Sequence, residues 1–147
     1  MTKDVLVAIA GLQYEIDSEE PIEVITAGQY FYKNEKHYVL YDEILSDSNE
    51  ICKNRIKIAC DSVEISKTGA SNVLMVFELG KKNLTYYNTP FGSLLIGIDT
   101  RKIVCSETEE AIVLNIEYGL EVNYSYVSDC SITVKITPKK SSMKVKV

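Results

Sequence analysis

The residues of this chain that could do chemistry are few: one histidine, four cysteines and three adjacent acid pairs among 147 positions. A hydrolytic triad or a Cys–His dyad would have to use His37. That residue follows the turn signal "KNEK" at the start of an extended segment and reads as a surface position. The cysteines at 52, 60, 105 and 130 form no C-x-x-C pair, so the usual zinc and redox spacings are missing. If Cys52 and Cys60 share one extended strand, they lie roughly 26 Å apart, whereas a disulfide needs Cα atoms within about 7 Å. They read as buried free thiols, which suits a reducing compartment. Glu19–Glu20, Asp42–Glu43 and Glu109–Glu110 are sequence neighbours. Neighbours on a strand point to opposite faces, so these pairs read as solvated charge rather than paired acids and bases. No phosphate-cradling glycine motif is present. No catalytic residue, metal site or cofactor is assigned.

The tyrosines say more. There are ten, with no tryptophan. Tyr30 and Tyr41 share strand faces with apolar neighbours, as does Tyr118 with Ile116, and Asn54 stands between Cys52 and Ile56 on an apolar face. An unpaired buried amide or hydroxyl costs about 1–3 kcal/mol. These groups therefore either bond to one another or to water in a plain core, or they line a cavity and orient a ligand. The cavity reading takes Tyr30, Tyr41, Asn54, Met75, Phe77 and Tyr118 as ligand-binding residues.

The elements that would position them are strands. In "ICKNRIKIAC" Cys52, Asn54, Ile56, Ile58 and Cys60 face one way, and Lys53, Arg55 and Lys57 the other. Alternation is longer in 111–124, where Ile112, Leu114, Ile116, Tyr118, Leu120, Val122 and Tyr124 share a face. Straight, that strand would run roughly 46 Å, so a bend or bulge is expected near Gly119. Further strands are expected at 3–13, 21–33, 36–45, 62–68, 72–79, 82–88, 93–105 and 126–137, with a short helix conceivable only at 15–23. Short turns at 8–12-residue spacing favour an antiparallel meander that closes into a barrel or folds as a sandwich. Val5–Ala10, Val73–Phe77 and Leu94–Ile98 are apolar on both faces, so something is expected to cover their outer sides.

Composition bounds the rest. Hydrophobic residues make up 46% and charged residues 25%, as in ordinary globular domains. Residues 1–138 read as a single β domain and 139–147 as a basic, disordered C-terminal tail. The net charge is −5, and the tail holds four lysines, so the body carries 12 bases against 21 acids. An acidic body repels phosphate and argues against nucleic acid as partner. The opening "MTKDVLVAIAGLQ" reads as no secretory leader, and no apolar run approaches the ~20 residues of a membrane-spanning helix. The expected setting is cytoplasmic, with no membrane partner.

In "YYNTPFG" (86–92), Thr89-Pro90-Phe91-Gly92 fits a type I turn, with Pro at the second position and Gly at the fourth. It reads first as a hairpin turn, and second as the lip of a barrel formed by Tyr87, Thr89, Pro90 and Phe91. The wider stretch "GASNVLMVFELGKKNLTYYNTPFGSLLIGIDT" (69–100) carries Gly69, Met75, Phe77, Tyr87, Thr89, Pro90, Phe91, Gly92, Leu94 and Thr100. With "EPIEVITAGQYFYKNEKHYVLYDE" (20–43), it resembles the YwiB-like bacterial family of uncharacterised small proteins. Members of that family often have a basic residue two before the glycine of the first turn, the place of Lys67 here. The resemblance implies a calycin-like, lipocalin-shaped β-barrel of about eight to ten strands, and no activity.

Three functions are therefore set against each other. The first is a non-enzymatic intracellular barrel binding a small apolar or amphipathic ligand. The second is a protein-interaction module or homodimer whose barrel is filled with side chains. The third, least favoured, is a metal-independent barrel enzyme built from fold-assembled carboxylates and tyrosines.

Overall fold

The computed structural model describes residues 3–11, 23–44, 50–69, 72–89 and 92–139. They form ten strands: β1 (Asp4–Ala10), β2 (Glu23–Lys33), β3 (Lys36–Ile44), β4 (Ile51–Ile58), β5 (Ser62–Gly69), β6 (Val73–Glu78), β7 (Lys82–Thr89), β8 (Gly92–Glu107), β9 (Ile112–Val122) and β10 (Ser125–Pro138). No helix occurs among the described residues, and so none that could cross a membrane. Alternation dictates each strand's two faces. In β4, Cys52, Asn54, Ile56 and Ile58 are buried, while Ile51, Lys53 and Arg55 are exposed. The helix entertained at 15–23 and the tail beyond Lys139 lie outside the described residues.

All pairings are antiparallel, in the order β6-β5-β4-β3-β2-β1-β10-β9-β8-β7. A meander barrel can close by pairing its first and last strands, and here that ladder runs from Val5↔Pro138 to Ala10↔Thr133. The barrel is instead left open between β6 and β7, which are consecutive in sequence yet share no ladder. Their connection explains why. Leu79 N–H donates to the Asp61 carbonyl, Gly80 N–H to Thr100 and Thr100 N–H to Lys81. Lys81 N–H also closes the turn on the Glu78 carbonyl, but the link is tied to the β4–β5 turn and to β8, and no β6–β7 ladder follows it. Inside the barrel, Phe77 of β6 meets Tyr118 of β9 edge-on, with ring centroids 5.1 Å apart.

The core is the inner face of the barrel. Val5, Val7, Val39, Ile56, Ile65, Phe77, Leu114, Ile116, Ile132 and Val134 are among its fully buried members. The bend expected near Gly119 falls on the neighbouring strands: the register shifts between Thr100 and Lys102 in β8 and between Tyr126 and Ser128 in β10. Both flank the level at which Gly119 pairs with Asp99 and Asp129. The four cysteines are free, as expected, but only Cys52 is buried. Cys60 falls beyond the end of β4, in the turn, and is exposed, as is Cys105. The outer sides of two doubly apolar strands remain partly open, with Leu6 and Leu74 exposed.

Candidate functional site

A cleft of about 980 Å³ is lined by residues 27–29, 40–42, 53–55, 66–68, 72–74 and 85–86. These come from six strands, β2 to β7, that are consecutive in the chain and take up more than half of the ten-stranded barrel. Inward residues such as Tyr41, Asn54 and Lys67 share the lining with exposed neighbours such as Lys53, Leu74 and Tyr86, so the cleft opens to the surface. Its β6 and β7 walls are the two sides of the seam. Its volume lies at the upper end of ordinary small-molecule sites.

The wall is built on one continuous row of cross-strand partners: Tyr41 opposite Asn54, Asn54 opposite Lys67 and Lys67 opposite Val73. Directly opposed side chains stand about 5 Å apart at Cβ, so the hydroxyl, the amide and the ammonium can address one functional group. Gly28 extends the row onto β2. A Cβ there would come within 2.8 Å of the Leu40 carbonyl oxygen and 3.2 Å of Val7, so close packing of the backbone requires glycine at this point.

The electrostatics are specific. Lys67 is 7% exposed, and a buried ammonium is costly unless paired. Its Nζ lies 2.9 Å from Glu43 Oε1, and the Glu43 side chain is 42% exposed, so the pair joins the inner wall to water. Burial pushes the Tyr41 hydroxyl up to about 12, with the Glu43 charge adding to the effect, which keeps it a neutral donor at physiological pH. Asn54 is 2% exposed. Its Nδ2 makes a long 3.4 Å bond to the Cys52 carbonyl, and its Oδ1 finds no partner among the described residues. The acid neighbours Asp42 and Glu43 separate as strand geometry requires, Asp42 standing 3.9 Å from exposed Lys53.

The cleft gathers two of the six residues expected from the sequence, Tyr41 and Asn54. Met75 is buried opposite Ile65, one inward position below Val73. Phe77 and Tyr118 pack on each other in the core, and burial pushes the Tyr118 hydroxyl up. Tyr30 turns to the other end of the barrel, where its hydroxyl lies 2.7 Å from His37 Nδ1. Of the four lip positions, Tyr87 is half-buried against the core and Thr89 closes the β7–β8 ladder opposite Gly92. Pro90 and Phe91 lie outside the described residues.

His37 is not the surface residue expected. Its partner across the β3–β4 ladder is buried Ile58, which turns the imidazole inward, and its side chain is 12% exposed. It stacks on Tyr30, and its Nε2 lies 3.6 Å from Glu107. Burial, and then the charge of Glu107, push the Tyr30 hydroxyl up. No group of three or more His, Cys, Asp or Glu side chains able to hold a metal occurs among the described residues. Lys67, Gly28 and Thr85 were not expected as cleft residues from periodicity. The signal for Lys67 was available, because it continues the inward row of Val63 and Ile65.

Comparison with known proteins agrees with this architecture. The domain of unknown function DUF1934 matches residues 7–134. The chain belongs to that family. It is 29% identical over 105 residues to the uncharacterised β-barrel protein YwiB of Bacillus subtilis (strain 168), covering 71% of this chain and 72% of YwiB. The crystal structure of the ywiB protein from Bacillus subtilis superposes with a TM-score of 0.70 at 23% identity, over 93% of this chain and 91% of that one. The DUF1934 likeness extends through the strands that carry Tyr41, Asn54, Lys67 and Thr100.

Proposed function

We propose that this DUF1934 protein is a non-enzymatic barrel that binds a small, partly apolar ligand in the cleft beside the β6–β7 seam. The observation that carries this reading is Asn54: a buried amide on the cleft wall whose carbonyl oxygen has no partner among the described residues. Leaving such a group unpaired costs about 1–3 kcal/mol, a cost that a ligand offsets when it bonds there. The seam supplies a way in that needs no ladder to break. Free cysteines support an intracellular, cytoplasmic setting.

The test is Asn54→Leu together with native mass spectrometry of gently purified protein. The wild type is expected to carry an added mass that is lost on denaturation. The variant is expected to lose that mass and to gain about 1 kcal/mol of stability, because an unpaired buried polar atom is removed. A bare wild type whose Asn54 side-chain amide resonance responds to no small-molecule probe would sink the proposal.

A second reading, an interaction module or homodimer, is favoured by the exposed outer leucines Leu6, Leu40 and Leu74. It predicts a concentration-dependent dimer in sedimentation, and a monomer at high concentration would remove the homodimer.

A further inference from the structure

Resting on the reading of the cleft as a ligand site, we infer that its ligand is a carboxylate with an apolar body, whose head group takes the place that the Glu43 side chain holds on Lys67.

Glu43 already shows what Lys67 donates to: a carboxylate oxygen at 2.9 Å, reaching in from a half-exposed position. The Glu43 side chain can turn out into water as a ligand carboxylate takes its place, so that buried Lys67 keeps an anionic partner. Tyr41, in the same row, can donate to the same group. The Tyr41 hydroxyl remains protonated at physiological pH. Asn54 Oδ1 is an acceptor and gives an ionised carboxylate nothing. Turning the amide over would set that oxygen against the Cys52 carbonyl, so the head group rests on Lys67 and Tyr41. The Lys67 ammonium and the Tyr41 hydroxyl, flanked by Val73 with Met75 and Ile65 beneath, suit an anionic oxygen pair joined to an apolar chain.

Other ligand chemistries fit less well. An amine would meet Lys67 as a like charge. A neutral alcohol would leave the Lys67–Glu43 pair in place and gain only a bond at Asn54. Long-range attraction contributes nothing here, because the chain as a whole carries −5. Carboxylate selectivity must therefore come from the wall itself.

Octanoate, octanol and octylammonium, titrated into the full chain by calorimetry and by NMR of the Asn54 side-chain amide, separate these cases. Octanoate is expected to bind roughly tenfold or more tightly than either analogue. Glu43→Gln is expected to tighten octanoate several-fold by freeing Lys67, with octanol unchanged. Lys67→Met is expected to weaken octanoate by roughly tenfold. Octanol or octylammonium binding as well as octanoate while shifting the Asn54 amide would overturn the carboxylate and leave the cleft reading standing. Weaker octanoate binding in Glu43→Gln would overturn the carboxylate as well. If none of the three probes shifts the Asn54 amide, the carboxylate and the ligand site fall together. The wild-type titration decides the matter even if Lys67→Met fails to fold.

Discussion

The two halves of this barrel use the same alternation for different ends. In β8–β10 the inward positions are almost all apolar: Ile96 and Ile98, then Ile112, Leu114 and Ile116, then Ile132, Val134 and Ile136, all buried. These strands are long, at 16, 11 and 14 residues. In β3–β6 the strands run 9, 8, 8 and 6 residues, and their apolar rows give way to Tyr41, Asn54 and Lys67. One half is solid, and the other ends in a polar wall beside an open seam. Burial stabilises in proportion to the apolar area removed from water, so the solid half should carry the fold and leave the other half free to hold a destabilising row.

The largest expected effect tests that division directly. Leu114 is fully buried in the middle strand of the solid half. Leu114→Ala should cost about 2–5 kcal/mol in a denaturant titration, from lost transfer energy and the cavity left behind. Asn54→Leu, on the polar wall, should shift the midpoint the other way. If both variants destabilise to the same degree, the two halves are not the different objects described above.

A smaller effect sharpens the picture of the polar wall. The folded Tyr41 hydroxyl titrates at about 12, against an ordinary value near 10, because burial disfavours its charged form. The unfolded chain loses that proton first, so the stability contribution is complete below pH 10 and is lost as pH rises from there to about 12. Tyr118, raised in the same direction, loses stability over the same rising pH. Tyr41→Phe should flatten part of the alkaline decline, by roughly 2 kcal/mol or less, in melting measured between pH 9 and 11. An unchanged decline would mean that Tyr41 is better solvated than its place on the wall implies.

The strands were legible because each face of a half-buried strand is written into alternate residues, and the ten expected segments correspond to ten strands. The seam was not. "LGKK" after β6 looks like any hairpin turn, and only the bonds from Leu79 to Asp61 and between Gly80, Lys81 and Thr100 show that the link is tied elsewhere. Those partners are remote in sequence, where periodicity is silent. His37 was misread for a related reason: a turn beside a residue says little about which way its side chain faces, whereas the register opposite Ile58 says it plainly. Tyr41 and Asn54 were found because a polar residue among apolar ones on one face is a local signal. Tyr118 carried the same signal, and Met75 and Phe77 stood out only as adaptable groups on apolar faces. What separates all three from the cleft is the level at which strands from distant parts of the chain meet.

The smallest expected effect lies on the outside of the solid half. Arg101 sits in the β8 bulge, lies over Gly119 and pairs with Asp129, which also accepts from the Tyr126 hydroxyl. The Tyr126 bond first, and the Arg101 bond second, hold the Asp129 carboxyl below its usual range. Such a clasp contributes above the ordinary carboxylate range and is lost as pH falls through the lowered value. A Cβ at position 119 would come within 2.5 Å of Arg101 Nη2, the far end of a flexible side chain, so Gly119→Ala should displace the guanidinium and leave the strand in place. Asp129, followed by carboxyl NMR, should then titrate part of the way back towards an ordinary value, with Tyr126→Phe supplying the rest. The denaturant midpoint should hardly move, because exposed ion pairs contribute little. Were Gly119→Ala to destabilise as strongly as Leu114→Ala, the strength of this half would lie in its outer clasp and not in the apolar rows it encloses.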